Sequence, residues 1–210
     1  DHPLAAKISL NLEHLGITKL SNRQKEFQEF ADKNGLDYYS GKSLSFNQYR
    51  DFSFNLTGRL EYTENMMHGT MESYWMIFNE VAIDTDVETK SIDTKLPTIL
   101  INFGGKNLPK FTMELEGFFD KLKAYAGIDD INFDGHPKFS DQFLLKGPDE
   151  KSIRSLFTDD LIKLIESNPK YHIESNGISI IIYPFNKKSD ISTINDMIKF
   201  ARQLAQKLNV

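Results

Sequence analysis

The apolar positions of this chain change period several times, and each change predicts an element. In FNLTGRLEY (54–62), Phe54, Leu56, Leu60 and Tyr62 point one way while Asn55, Thr57, Arg59 and Glu61 point the other, the signature of a half-buried strand. MESYWMIFNEVAID (71–84) is apolar on both faces at its centre, Trp75 and Ile77 against Met76 and Phe78, and so predicts a central strand. NMMHG (65–69) between them predicts the turn of a hairpin. TILINF (98–103) and KFTMEL (110–115) add strands on either side of Gly104-Gly105. DQFLLK (141–146) reads as a strand stopped by Gly147-Pro148. YHIE (171–174) and ISIIIY (178–183) flank Asn176-Gly177, the signal of a two-residue type I′ hairpin.

Helical spacing alternates with these runs. Ser21 and Gln24 form a capping-box pattern, Phe27, Phe30 and Ala31 share a face, and Gly35 closes the helix. Phe118, Leu122, Tyr125 and Ala126 predict a helix ended by Gly127. Asp149 starts a short helix carrying Ile153 and Leu156, and Thr158 caps another with Leu161, Ile162, Leu164 and Ile165 inward. The chain closes on a 3.6-residue period through Ile194, Met197, Ile198, Ala201, Leu204, Ala205 and Leu208. Residues 1–20 fit both periods, since Leu4, Ile8, Leu12 and Leu15 make a helical stripe while Ile8, Leu10 and Leu12 alternate.

Hairpins followed by helices predict an α+β fold with a mainly antiparallel sheet and helices packed on one side. Residues 1–20 are set apart as an N-terminal segment, and 21–210 as an α+β domain, either single or of two subdomains meeting near 105–110. No repeat or linker composition interrupts it, and the acidic stretch DTDVETKSID (84–93) comes nearest to a mobile loop.

Composition narrows the function classes. The 210 residues suffice for a sizeable core, and 16 Phe and 8 Tyr against one Trp predict an aromatic-rich one. A net charge of -5 leaves no Lys/Arg stripe to neutralise phosphates, which argues against nucleic acid as a partner. The absence of cysteine excludes disulfides, thiolate nucleophiles and zinc-thiolate sites. The longest apolar run, ISIIIYPF (178–185), falls far short of the ~20 residues of a membrane span. The chain begins DHPLAAK without an initiator Met, so an upstream segment is expected.

The one stretch with chemical spacing is DDINFDGHPKFSDQF (129–143). Asp130, Asn132, Asp134, Gly135 and Asp141 fall on positions one, three, five, six and twelve of an EF-hand loop. The context is wrong: Pro137 stands at the hydrophobic position eight, Asp141 replaces the bidentate Glu, and no second helix is expected. A polar connector accounts for the same residues. Asp134 sets a turn before Gly135, His136 is kept extended by Pro137, and Phe133 and Phe139 anchor the turn to the core. Asp84, Asp86 and Glu88 would share one face of an extended strand, which suits a hard cation less well than a solvated edge. Asp159 and Asp160 sit where the helix macrodipole favours acids. Met66, Met67 and His68 read either as an adaptable contact surface or as part of the core. The five histidines (His2, His14, His68, His136 and His172) are scattered, and there is no Gly-x-Ser-x-Gly elbow, phosphate loop or paired-His motif. No catalytic residue, metal ligand or cofactor is therefore assigned, and Asp134 and His136 remain as binding candidates.

LPKF (108–111), INFDGHPKFS (131–140), LKGPDEKSIRSLFT (145–158) and IESNGISIIIY (173–183) together resemble a family of uncharacterised bacterial proteins. Those proteins carry a pattern like Asp-Phe-Asp-Ser-His-Pro-x-Phe-Ser, so Asn132 replaces the usual acid here and Gly135 the usual Ser. The resemblance covers about 108–185, with a fainter match at EFQEFADKNGLDYY (26–39). It implies a cytoplasmic domain tethered to the inner membrane by transmembrane helices outside this chain, and it carries no known activity. The resulting expectation is a non-enzymatic interaction or scaffold domain with protein partners, touching the membrane only through a segment absent from this chain. The rival is a hydrolytic or metal-dependent enzyme built from the Asp130–Asp141 loop and His136.

Overall fold

The computed structural model describes residues 20–44, 47–49, 51–52, 59–71, 73–84, 94–115, 127–185 and 189–208; of Arg59, Asp84 and Thr94 only the backbone is described. The expected elements at 1–19, 54–58, 85–93 and 118–126 lie outside the described residues.

The strands β1 (Asp37–Tyr39), β2 (Arg59–Thr70), β3 (Trp75–Asp84), β4 (Thr94–Asn102), β5 (Phe111–Leu115), β6 (Phe143–Lys146), β7 (Tyr171–Ser175) and β8 (Ser179–Pro184) form one sheet. Its order is β1-β2-β3-β4-β8-β7-β5-β6, and all its pairings are antiparallel. The helices are α1 (Asn22–Asn34), α2 (Pro137–Gln142), α3 (Glu150–Leu156), α4 (Asp159–Glu166) and α5 (Ile191–Leu208). This is the α+β architecture that the hairpin-and-helix pattern predicts.

Strand alternation assigns the two faces. On one, Met76, Phe78, Ile99, Ile101, Met113, Ile173, Ile180 and Ile182 meet Phe27, Phe139, Ile153, Leu161 and Met197 from the helices in one continuous core. All five helices contribute to this face. On the other, Val81, Ile83, Leu96, Leu100, Ile181 and Tyr183 pack with Tyr49 and Phe52. Hence the centre of the sheet is apolar on both sides, as the MESYWMIF run predicts.

Local signals explain the helix ends. Ser21 and Gln24 make the reciprocal capping box, and Gly35 ends α1 in the left-handed conformation at φ 64°. Asp149 accepts from the Ser152 amide at the start of α3, and Thr158 from the Leu161 amide at the start of α4. In α5 the apolar stripe is buried from Ile194 to Leu208.

Three local expectations need correction. NMMHG is not a turn: β2 runs through it, and the hairpin closes at Met71, whose amide donates to the Tyr74 carbonyl at 2.7 Å. A bulge between Glu64 and Met67, with Asn65 at φ 52°, resets the alternation and buries Met67. DQFLLK begins with the end of a helix, because Pro137 sits at the first turn of α2 and β6 starts only at Phe143. The β7–β8 turn is shifted by one residue. Among the described non-glycine residues only Asp51 and Asn65 have positive φ, so Asn176 is not left-handed as a type I′ turn demands. The central pair is Gly177-Ile178, and the Asn176 amide donates to the Ser179 carbonyl at 3.2 Å. Asn176 Oδ1 accepts from the amides of Ile178 and Ser179 at 3.0 and 2.9 Å, the side-chain turn bond that moves the register.

Gly177 has φ 97°, and its carbonyl accepts from the Leu108 amide at 3.0 Å, tying the turn to the chain entering β5. Gly177→Val is expected to destabilise the protein by about 1–3 kcal/mol through backbone strain alone. Urea melts of the variant and parent measure this, and coincident curves would refute the turn geometry.

Candidate functional site

The 129–143 stretch is organised around Phe139, which is fully buried at the start of the helical layer. Its ring lies 5.7 Å from Phe133, 5.2 Å from Phe143 and 6.1 Å from Phe157. Phe157 in turn meets Phe111 of β5 edge-on at 5.2 Å. This aromatic cluster is what holds the polar turn against the sheet.

The polar atoms of the stretch are spent on its own chain. Asp130 Oδ1 accepts from the Leu145 amide at 2.7 Å, and the Ile131 amide donates to the Leu145 carbonyl at 2.8 Å. Residues 130–131 thus cover the outer edge of β6, the last strand of the sheet. Burial raises the Asp130 carboxyl above its usual range, with the Leu145 amide opposing it. The Asn132 carbonyl accepts from Arg154 at 2.7 Å, and that guanidinium lies 5.2 Å from the centre of the Phe133 ring. Ser140 Oγ accepts from the Phe133 amide at 2.8 Å, closing the turn through the exposed Asp134 and Gly135. Asp141 is exposed on α2. The five EF-hand positions therefore do not converge. Among the described residues no group of three or more His, Asp or Glu is placed to hold a metal ion.

His136 precedes Pro137 with φ -135° and ψ 64°, outside the extended region expected of it, because it opens α2, and its Nε2 lies 3.0 Å from Asp159 Oδ1. The side chains are 14% and 81% exposed, so the pair is a bolt between the starts of α2 and α4. His136 lowers the Asp159 carboxyl below its usual range, by hydrogen bond first and then by charge. Asp160 is held low by Lys207 of α5, 2.8 Å away. Both acids keep their place in the first turn of α4, yet each also reaches a neighbouring helix.

The other candidates fall apart. Met67 is in the core, and half-buried His68 has its Nδ1 3.8 Å from Asp37. Asp84 ends β3, whereas Asp86, Glu88, His2 and His14 lie outside the described residues.

Two polar clusters escaped the sequence reading. Glu80 of β3 is 1% exposed, and its Oε1 takes Arg23 of α1 and the Ser189 hydroxyl while Oε2 accepts from Asn65 at 2.6 Å. Arg23 also donates to the Ser189 carbonyl at 2.8 Å, and Tyr38 to Asn65 Oδ1 at 2.8 Å. Burial, then Glu80, raises the Tyr38 phenol. The second cluster lies on the face away from the helices, where Glu114 of β5 and His172 and Glu174 of β7 are all buried. His172 is stacked on Tyr183 at 4.6 Å and faces Phe185 edge-on at 4.1 Å. Its Nδ1 has no hydrogen-bond partner, and burial pushes the imidazole down to about 3. The only sequence signal was a charged residue alternating with apolar ones, which equally describes a solvated face.

The fold defines the class: an α+β protein with an eight-stranded antiparallel sheet and, among the described residues, its α-helices on one face. No family model matches the chain, and no curated protein matches it. A solved structure does. The crystal structure of the mycobacterial trehalose monomycolate transport factor A, TtfA, superposes with a TM-score of 0.66 at 11% identity. The match covers 90% of this chain and 96% of that one, and at this identity it is a likeness of fold.

Two expectations follow. Phe139→Ala opens a cavity in the aromatic cluster and is expected to cost ~3–5 kcal/mol, whereas His136→Ala loses a bolt to an exposed acid and costs under about 1 kcal/mol. Urea melts rank the two, and a His136 loss as large as that of Phe139 would reject this account. For His172 the folded value lies below the unfolded one. The unfolded chain therefore takes up a proton first, and stability present above pH ~6.5 is lost as pH falls towards 3. His172→Phe is expected to flatten the acid limb of stability against pH by about one proton, and an unaltered slope would count against a neutral buried imidazole.

Proposed function

We propose that this chain is a non-enzymatic interaction or scaffold domain, working on the cytoplasmic side of a bacterial inner membrane as part of a membrane-tethered, transport-associated protein. The observation that carries the reading is the likeness of fold, over 90% of this chain, to a transport factor. The architecture of the HPKF stretch supports it. His136, Asp130 and Ser140 brace α2, α4 and the edge of β6, and a group engaged in bracing is poorly placed to turn over a substrate. The resemblance of 108–185 to uncharacterised membrane-anchored proteins supplies the tether in this proposal. Among the described residues no helix is long and apolar enough to cross a membrane, so the anchor is assigned to chain outside them.

The test uses the product of the full reading frame, tagged at its C-terminus. It is expected in the inner-membrane fraction, resistant to alkaline carbonate, with the domain protected from protease in spheroplasts. Recovery in the soluble fraction, or cleavage from outside, would sink the tethered cytoplasmic reading. In parallel the purified chain is expected to be blank in a phosphatase, esterase and peptidase screen. A turnover signal lost in His136→Ala, with the melt unchanged, would make the protein an enzyme.

A further inference from the structure

Among the described residues, Glu114 is the buried carboxyl group whose two oxygens both lack a hydrogen-bond partner. Its side chain is 1% exposed, so solvent does not replace the missing donors. Next to it in the β5–β7 alignment stands His172, whose Nδ1 lies 4.0 Å from Glu114 Oε1. Tyr183 and Phe185 hold that ring from two sides. Glu174, two residues further along β7 on the same face, accepts from the Tyr183 hydroxyl at 2.5 Å. Lys146 of β6, opposite Thr112, is the cation nearest in register on that face. The described titratable groups around Glu114 are thus an imidazole, a second carboxyl, a phenol and one lysine.

Glu80 shows what a buried carboxylate of this protein looks like when its charge is supported. A guanidinium, a hydroxyl and an amide converge on its two oxygens. Glu114, equally buried, has none of these and faces another acid. An unsupported ion in such a place costs far more than its neutral acid, so the group resolves the conflict by keeping its proton. The ladder itself is weak here. The β5–β7 pairing covers Phe111↔Ser175 to Met113↔Ile173 and stops one step before Glu114 and His172.

We propose that the folded protein carries Glu114 as a neutral carboxylic acid, and that loss of this proton releases the β5–β6 pair from β7 at the end of the sheet. Burial, then the charge of Glu174, moves the carboxyl from 4.5 up to about 8. His172, held down to about 3 by burial, does not take the proton over. The sign follows directly. Between 4.5 and about 8 the folded state holds a proton that the unfolded chain has released, so this stabilising contribution is lost as pH rises through the window. The consequence is local first, because the strands beside Glu114 are short and lie at one end of the sheet.

The experiment is carbon-detected NMR of side-chain carboxyls in the ¹³C-glutamate-labelled chain, with Glu114 assigned from the signal missing in Glu114→Gln. A midpoint near 8 is expected, and titration in the ordinary carboxylate range would overturn the proposal. Amide exchange of β5 and β6, corrected for its intrinsic pH dependence, is expected to be about tenfold faster at pH ~9 than at pH ~6.5, with β3 and β4 unchanged. Glu114→Gln is expected to abolish that difference. The same acceleration in the variant, or none in the parent, would overturn the release. Should Glu114→Gln not fold, Glu174→Gln serves instead: it removes the neighbouring charge and is expected to lower the Glu114 midpoint, and an unmoved midpoint rejects the pairing of the two acids.

Discussion

Strand β8 is where the two halves of the chain become one sheet. It lies between β4, which belongs to the β1–β4 meander, and β7, which leads to β5 and β6. Ile180 and Ile182 enter the helix-side core while Ile181 and Tyr183 enter the opposite one, and all four are buried. A strand apolar on both faces gains on the order of 1.5–3 kcal/mol for each side chain fully buried. That gain offsets the entropy of bringing Ile182 beside Ile99 from 83 residues away. The tight turn at Gly177 then fixes the register of β7 at little further cost.

With the sheet joined, the helices have one face to cover, and α5 does most of it at the centre. Its buried stripe runs from Ile194 to Leu208, and Tyr171 of β7 stacks on Phe200 at 4.8 Å. The entry to α5 is pinned by Ser189, whose hydroxyl donates to Glu80 and whose carbonyl accepts from Arg23. One buried carboxylate therefore locks α1, β2, β3 and the lead into α5 together. Removing Arg23 would take a guanidinium from a buried carboxylate rather than merely delete a contact. At the other end α2, α3 and α4 are joined by the Phe139 cluster and the His136–Asp159 contact.

Elements with strong local signals were legible in the sequence. The capping box at Ser21, the αL glycine at 35, the caps at Asp149 and Thr158 and the long stripe of α5 each encode a helix boundary or face within a few residues. Two-sided burial of β3 was readable for the same reason. What failed depended on partners distant in sequence. The bulge at Asn65 is stabilised by Tyr38 and Glu80, so NMMHG looks like a turn only when those partners are out of sight. The short α2 is held by Phe139 among rings from 133, 143 and 157, and six residues carry little helical signal of their own. The spacing of acids in 129–143 was legible, but its meaning was not. Asp130 is recruited by a backbone amide in β6, a partner that no motif specifies.

The same limit explains why the buried acids escaped notice. Glu114 alternates with apolar residues along its strand, a pattern that ordinarily marks a solvated face, and Glu80 follows Asn79 as a short polar break in an otherwise apolar run. Whether such a face is wet depends on what covers it, and that is decided by topology rather than by the strand. Both acids ended up dry, with opposite outcomes. Where Arg23, Ser189 and Asn65 arrive, the charge is supported and becomes a strut. Where only an imidazole at 4.0 Å and a second acid arrive, charge has no support and protonation takes its place. The sheet is therefore chemically asymmetric along its length. Its β1–β4 end is held by an ionic knot in which a guanidinium, a hydroxyl and an amide converge on one buried carboxylate. Its β5–β6 end rests on a proton, so a change of pH acts on one end of the sheet and leaves the other in place.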